Sequence, residues 1–344
     1  MNLNQLQNYI VDYNTDVEII LSLLNSNKYK ILFVTKNKKL VGSISDGDIR
    51  RFLVTSKNLN SPANFMNTKP SFIVRDSTEY FKRKEILKKE ICVVPVLNNN
   101  DEVIEIINIK LSNHFPVDVV VMAGGRGNRL SPLTDNTPKP LIELNNKPII
   151  DYNYDLLLNL GVNSFYISVN YLKNQIKNHF NAKISSQYVN FIEEDKPLGT
   201  FGSLSLINDF KNDNVLVINS DILTNIDFNL FYEKFLESNC DIGLVSVEYN
   251  TRVPYAILIE ENSKLVDFKE KPPYSYLINT GIYLLKKSSI LDIPYNEFFD
   301  ATDLLKKYLD DNKNIYIHKT KKYWKDIGKV DDLNQARIDV LNIF

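Results

Sequence analysis

Val121-Met122-Ala123-Gly124-Gly125-Arg126-Gly127-Asn128-Arg129-Leu130 is the stretch whose reading decides the fold. It grows out of a run, Val117 to Met122, that is apolar except for Asp118. A run apolar on both faces suits the centre of a parallel sheet covered by helices on each side. The glycines that follow let backbone N–H groups approach an anion with no Cβ in the way. Arg126 and Arg129 add positive charge, and the guanidinium fork of Arg129 suits phosphate oxygens. No Gly-Lys-Ser or Gly-Lys-Thr closes the loop, so it is not a Walker A loop. Its spacing also departs from G-x-G-x-x-G, which argues against an NAD-dependent oxidoreductase. Further on, Lys139 stands between Pro138 and Pro140, which stiffen the backbone that presents its amine.

Outward from this loop the chain alternates. Helices are predicted over 148–160, 171–180 and 200–208, strands over 164–169, 187–192 and 214–219, and a last helix at about 330–342. Such alternation predicts an α/β fold, doubly wound around a mixed, mainly parallel central sheet. No hexapeptide repeat follows, so no C-terminal β-helix is expected. Before the loop the pattern differs. Val17 to Leu24 has helical apolar spacing, and Ile31–Val34 and Leu40–Ser45 read as strands. Asp46-Gly47-Asp48 opens a helix reaching Leu53, which Asp46 or Asp48 would cap. Residues 65–110 repeat this plan: Ser71–Val74 is extended, Glu79–Lys89 helical, and Cys92–Leu97 and Val103–Ile109 pair across an Asn/Asp turn. Leu111–Pro116 reads as a linker. The expected domains are 1–58, 59–112 and 117–344.

With 44% hydrophobic and 24% charged residues the composition is that of a globular domain. A net charge of −1 gives no basic field, so neither nucleic acid nor an anionic membrane is an expected partner. Cys92 and Cys240 are the only cysteines and offer no zinc or disulfide spacing. The polar start of the chain and the lack of a long apolar run predict no signal peptide and no membrane span, hence a cytoplasmic location. His114, His179 and His318 lie in no motif and are taken as structural.

Taken with Pro138-Lys139-Pro140, the loop resembles the signature of the sugar-1-phosphate nucleotidyltransferase family, G-G-x-G-T-R-L…P-K-P, with Asn128 in place of the usual threonine. Later segments extend the resemblance in family order over about 117–340. Glu194-Asp195-Lys196-Pro197-Leu198-Gly199-Thr200-Phe201-Gly202 is similar to E-x-x-P-L-G-T-A-G, with Phe201 for a small residue. Asn219-Ser220-Asp221 is similar to N-G-D, with Ser220 for glycine. Glu270-Lys271-Pro272, Asn279-Thr280-Gly281-Ile282-Tyr283 and Trp324-Lys325-Asp326-Ile327-Gly328 match the remaining elements. The resemblance implies attack of a sugar-1-phosphate oxygen on the α-phosphorus of a nucleoside triphosphate, with pyrophosphate leaving. It implies Mg²⁺ on Asp221 and Asp326, and Arg129, Lys139 and Asp221 as the catalytic set. Arg129 would hold the leaving phosphates and Lys139 the reacting ones. Ala123, Gly124, Gly125, Gly127, Asn128, Glu194, Gly199, Thr200 and Ser220 would bind the nucleotide. Gly202, Glu270, Lys271, Asn279 and Thr280 would bind the sugar phosphate. Glu194 occupies the base-reading position. A carboxylate accepts from guanine N1–H and N2–H₂ together but from only one uracil or thymine N–H, so GTP is favoured.

The N-terminal repeats resemble a tandem pair of cystathionine-β-synthase (CBS) domains, most clearly over Val41 to Arg50. In relatives a Ser/Thr and an Asp at the spacing of Ser45 and Asp48 hold an adenosine ribose. Here the same pair equally suits a plain helix cap, and the second repeat lacks it. A CBS pair fused to this transferase resembles bacterial glucosamine-1-phosphate guanylyltransferases, which feed legionaminic acid synthesis for flagellin glycosylation. The expectation is therefore transfer of GMP from GTP to α-D-glucosamine 1-phosphate by a homodimer or higher homo-oligomer. The rivals are uridylyl, cytidylyl or thymidylyl transfer, or mannose or heptose 1-phosphate as acceptor. A non-catalytic nucleotide-sugar sensor would have lost one of Asp221, Asp326, Arg129 or Lys139, and all four are present.

Overall fold

The computed structural model describes residues 8–55, 66–75, 79–89, 91–109, 115–183 and 187–343. Most of the predicted linker, His114 and the predicted boundary near residue 58 lie outside them. The chain divides into two compact units, Met1–His114 and Phe115–Phe344.

The first unit runs β1 (Ile10–Asp12), α1 (Val17–Ser26), β2 (Ile31–Lys36), β3 (Lys39–Ser45), α2 (Asp46–Thr55), β4 (Ile73–Val74), α3 (Glu79–Lys88), β5 (Val93–Leu97) and β6 (Val103–Asn108). It contains two three-stranded sheets, β1-β2-β3 and β4-β5-β6. In each, the short first strand pairs parallel with the middle one, which pairs antiparallel with the third. Apolar spacing puts Ile20 and Leu24 of α1 against Leu32, Val34 and Ile44. Tyr9 and Phe33 cluster with Val93 and Ile106, so the two sheets share apolar surface. The start of α2 is a capping box. Ser45 N–H and Oγ–H donate to Asp48 Oδ2 at 2.8 and 2.6 Å, and Asp48 N–H donates back to Ser45 Oγ at 3.3 Å. Asp46, the other predicted cap, instead pairs with Arg50 at 2.7 Å, because its side chain faces the next turn.

The second unit runs β7 (Asp118–Met122), a hairpin of β8 (Glu143–Leu144) and β9 (Lys147–Pro148), α4 (Ile149–Asn159), β10 (Phe165–Val169), α5 (Lys173–Asn181), β11 (Val189–Glu193), β12 (Asn214–Asn219), β13 (Ile222–Thr224), α6 (Phe228–Ser238), β14 (Ile242–Arg252), β15 (Ile257–Glu261), β16 (Lys264–Lys269), β17 (Pro273–Lys286), the short α7 (Lys287–Ile290), α8 (Ala301–Asp310), β18 (Ile315–Thr320), β19 (Trp324–Asp326) and α9 (Val330–Ile343). Seven strands form one sheet in the order β11-β10-β7-β12-β17-β14-β18. Neighbours pair parallel except where β17 lies antiparallel between β12 and β14. The predicted mixed, mainly parallel sheet is thus present, with the Val119–Val121 run buried at its centre. Val120, Val217, Tyr283 and Leu285 of the sheet pack with Phe201, Leu204 and Leu304. The helix predicted over 200–208 is only a 3₁₀ turn, Gly202–Leu206. The N–H groups of Phe201 and Gly202 donate to the Phe299 carbonyl at 2.9 and 3.0 Å, and the turn stops where Ile207 becomes extended, with ψ 110°. Among the described residues no helix is long and apolar enough to cross a membrane.

Candidate active site

From β7 the chain moves outward through β10 and β11, then returns to place β12 on the other side of β7. The carboxyl ends of strands at such a reversal open a crevice. A cavity of about 470 Å³ lies there, lined by Gly124, Gly125, Gly127, Asn128, Arg129, Lys139, Glu194, Gly199, Thr200, Ser220 and Asp221, among others.

The Gly-rich loop closes onto the lysine. Gly127 has φ +66°, and a Cβ there would stand 2.9 Å from the Cβ of Lys139. Only glycine fits that approach. Thr134 Oγ–H donates to the Gly127 carbonyl at 3.0 Å and fixes the turn. Arg126 is drawn aside over the Tyr171 ring, 5.6 Å from its centroid, while Arg129 lines the cavity. Ala123 is buried and does not line it. Its N–H donates to the Ser168 carbonyl at 3.0 Å and ties the loop root to the sheet.

Lys139 is buried behind the loop, and its Nζ–H donates to Asp221 Oδ2. Asp221 leaves the end of β12 and leads directly into β13, which pairs antiparallel with β19. The register sets Ile222 opposite Asp326, and Ile327 N–H donates to the Asp221 carbonyl at 3.0 Å. This small ladder brings the two predicted carboxylates together from distant sequence. Lys139 Nζ lies 3.9 Å from Asp326 Oδ1. A Cβ built on Gly328 would be 3.2 Å from both Asp326 Oδ2 and Arg129 Nη1, so the guanidinium also stands close by. Burial, and then the charge of Asp221, push the Asp326 carboxyl above its ordinary range, against the pull of Lys139 and Arg129. Two hard carboxylates beside this cavity match the donor set of Mg²⁺, which takes few protein ligands and completes its shell with phosphate and water oxygens. Among the described residues no group of three or more His, Cys, Asp or Glu side chains is placed to hold a metal.

Glu194 is also buried, in the cavity wall. Its Oε1 accepts from Ser168 Oγ–H and its Oε2 from Leu198 N–H at 3.2 Å. Asn170 Nδ2–H donates to its carbonyl at 2.7 Å. A carboxylate has about four lone-pair positions, so acceptor capacity remains. Ser168 and Asn170 carry no motif, and only the end of β10 beside β11 reveals their roles.

The segment Glu297–Asp300 backs the other wall. Gly199 has φ +76°, and a Cβ there would be 2.8 Å from Asp300 Oδ1 and from the Phe299 carbonyl. Thr200 N–H and Oγ–H donate to Asp300 Oδ1 at 3.0 and 3.2 Å, and Ala301 N–H donates to Thr200 Oγ at 2.7 Å. Phe298 and Asp300 line the cavity, and the sequence reading named neither. The Asp300-x-x-Asp303 spacing of the capping box on α8 was the legible signal for Asp300.

Five residues assigned to the sugar phosphate stand outside this cavity. Gly202 is buried, and a Cβ there would meet the Glu297 carbonyl at 2.3 Å, so its glycine serves backbone packing. Thr280 is buried and its Oγ–H donates to the Val245 carbonyl at 2.8 Å. Asn279 Nδ2–H donates to Tyr283 Oη at 2.7 Å, while its Oδ1 accepts from Gly281 N–H at 3.0 Å. Glu270 and Lys271 are exposed at the foot of the β15–β16 ribbon.

A nucleotidyl transferase family model matches residues 118–342, the whole of this sheet and its site. The chain belongs to the nucleotidyl transferase family. A CBS domain model matches residues 7–55. A protein of Sulfolobus acidocaldarius is 31% identical over 232 residues, 66% of this chain and 64% of its own length. The bifunctional protein GlmU of Methanocaldococcus jannaschii is 30% identical over 230 residues, and the chain spans only 53% of it. The D-glycero-alpha-D-manno-heptose 1-phosphate guanylyltransferase of Aneurinibacillus thermoaerophilus is 28% identical over 225 residues, 64% of this chain and 97% of the relative. Among solved structures, HddC from Yersinia pseudotuberculosis is 29% identical with a TM-score of 0.51, over 65% of this chain and 99% of that one.

Proposed function

We propose that this nucleotidyl transferase joins GMP from GTP to a sugar 1-phosphate and releases pyrophosphate. One observation carries the reading. A single cavity holds a carboxylate fit to read a base, Glu194, together with a cationic and carboxylate group fit to manage phosphates, Arg129, Lys139 and Asp221. The heptose 1-phosphate guanylyltransferase among its relatives supports guanine and a sugar 1-phosphate.

In this reaction an anionic oxygen of the sugar phosphate attacks the α-phosphorus of GTP. The bond from that phosphorus to the bridging oxygen of the β-phosphate breaks, and the electron pair leaves with pyrophosphate. The attacking group is already ionised, so no general base is required. The protein's work is to align two polyanions and offset their repulsion. Gly124, Gly125 and Gly127 shape the cradle for the phosphates. Arg129 holds the leaving pair, and Lys139 offsets charge on the reacting phosphates. Glu194 accepts from N1–H and N2–H₂ of guanine. Mg²⁺ bound by Asp221 and Asp326 would supply charge neutralisation at the α-phosphate.

The finer reading is α-D-glucosamine 1-phosphate as acceptor and GDP-glucosamine as product, for legionaminic acid synthesis and flagellin glycosylation. It rests on the fusion of a CBS domain to this transferase. An adenine nucleotide at Ser45 and Asp48 would then regulate it, although there the two side chains already bond each other. Pyrophosphate release measured with five nucleoside triphosphates against a panel of sugar 1-phosphates tests the assignment. Turnover with GTP and glucosamine 1-phosphate above all other pairs is expected. A better pair corrects the specificity, and no turnover with any pair overturns the activity. Calorimetry of the full chain with AMP and ATP tests the regulatory ligand.

A further inference from the structure

The β15–β16 ribbon is a two-stranded sheet with no third strand. All of β16 and all of β15 beyond Ile257 are exposed. Such a ribbon is marginal in water unless something covers it. Yet it is apolar along its length. Leu258 and Phe268 face each other across the ladder and are 66% and 59% exposed, and Leu265 and Val266 near the turn are 62% and 51% exposed. Tyr249 and Tyr276, paired on the outer stretch of β14 and β17, are each 54% exposed. An exposed apolar surface of this kind marks an interaction site.

Charge along the ribbon names the occupant. The turn end carries Glu260 and Glu261 with Lys264, and the foot carries Lys269 and Lys271 with Glu270. One end is therefore net acidic and the other net basic. A twofold axis between two copies lays turn against foot. The carboxylates of each copy then face the ammonium groups of the other, and each Leu258–Phe268 pair meets Leu265 and Val266. We propose that two copies of this chain pair through the β15–β16 ribbon, antiparallel and self-complementary. Because the foot ends on Glu270 and Lys271, each partner's turn would lie beside the residues that the family pattern assigns to the sugar phosphate.

The test is sedimentation equilibrium of the full chain across a dilution series, with circular dichroism to verify folding. The wild type is expected at twice the chain mass. Leu258→Ser with Phe268→Ser is expected to yield monomer. Glu260→Lys with Glu261→Lys, which leaves the apolar surface intact, should weaken pairing at least about tenfold, and adding Lys269→Glu should recover part of it. The charge variants decide the matter if the serine variant fails to fold. A monomeric wild type, whether the ribbon is then free or waits for another protein, overturns the proposal. So does a dimer that survives the charge reversal unchanged.

Discussion

Lys139 donates its amine to Asp221 from 82 positions away in sequence, and the same nitrogen stands 3.9 Å from Asp326. The ammonium thus lies between the two carboxylates proposed to hold Mg²⁺. Removing it by Lys139→Met leaves Arg129 as the nearby counter-charge and takes a cation from the proposed site of the reacting phosphates. A loss of roughly 100- to 1,000-fold in kcat is expected, the usual scale for one preorganised electrostatic group. Steady-state pyrophosphate release checks it, with circular dichroism confirming the fold. Asp221→Asn should abolish Mg²⁺-dependent turnover, and retained turnover would remove its metal role.

Glu194 is the site's only proposed reader of the base. Glu194→Gln replaces one acceptor oxygen with a donor that opposes guanine N1–H. The variant should lose roughly 10- to 100-fold in kcat/KM for GTP and change far less with UTP. A parallel measurement of both nucleotides decides it, and an unchanged GTP preference would be incompatible with base reading by this residue.

Phe298 is 63% exposed in the cavity lining, on backbone fixed by Phe299 N–H donating to the Leu198 carbonyl at 2.9 Å. A held aromatic face at a ligand site is worth about 0.5–1.5 kcal/mol in stacking. Phe298→Ala should therefore raise KM for one substrate about 2- to 10-fold with kcat little changed, and Phe298→Tyr should restore it. Equal KM values for alanine and wild type would show that the ring touches neither substrate.

Gly202→Ala would set a methyl 2.3 Å from the Glu297 carbonyl. Backbone cannot give as a flexible side chain can, so a cost of about 1–3 kcal/mol is expected. Thermal melts would show it, and activity should fall with it because Glu297–Asp300 backs the cavity wall. An unchanged melting temperature would mean the segment moves freely.

Asp118 is fully buried at the foot of β7, and burial raises its carboxyl above the ordinary range despite the N–H of Asn212 donating to it at 2.7 Å. For a raised carboxyl the folded state holds the proton more tightly than the unfolded state. Stability then falls as pH rises from the unfolded value through the folded one, and is flat above it. Asp118→Asn keeps an acceptor for Asn212 and removes the charge. It should melt at or above the wild type near neutrality, with the gap closing in acid. A gap that widens in acid would reverse the sign and refute the assignment.

Periodicity made the sheet legible: the strand predicted over 214–219 is β12 residue for residue. The residues proposed to meet phosphate were legible because that chemistry demands glycines and fixed cations at set spacing. The rest was hidden for physical reasons. Ser168 and Asn170 act through β10 and β11 lying side by side, which no local pattern encodes. Gly202 sits inside a motif but serves packing against Glu297, a contact between distant segments. Phe298 looks like any core phenylalanine until its exposure is known. Ser45 and Asp48 fitted both a ligand pair and a cap, and their geometry is that of a capping box.

The pairing of Ile222 with Asp326 has a consequence for how the protein is made. Synthesis proceeds from the N-terminus, and the loop, the lysine and Asp221 all emerge long before β19 exists. Until β19 docks on β13, Lys139 has one carboxylate partner instead of two, and the proposed metal pair is incomplete. A nascent chain can therefore fold much of its sheet before the proposed metal pair is complete, and that pair is assembled in one late step.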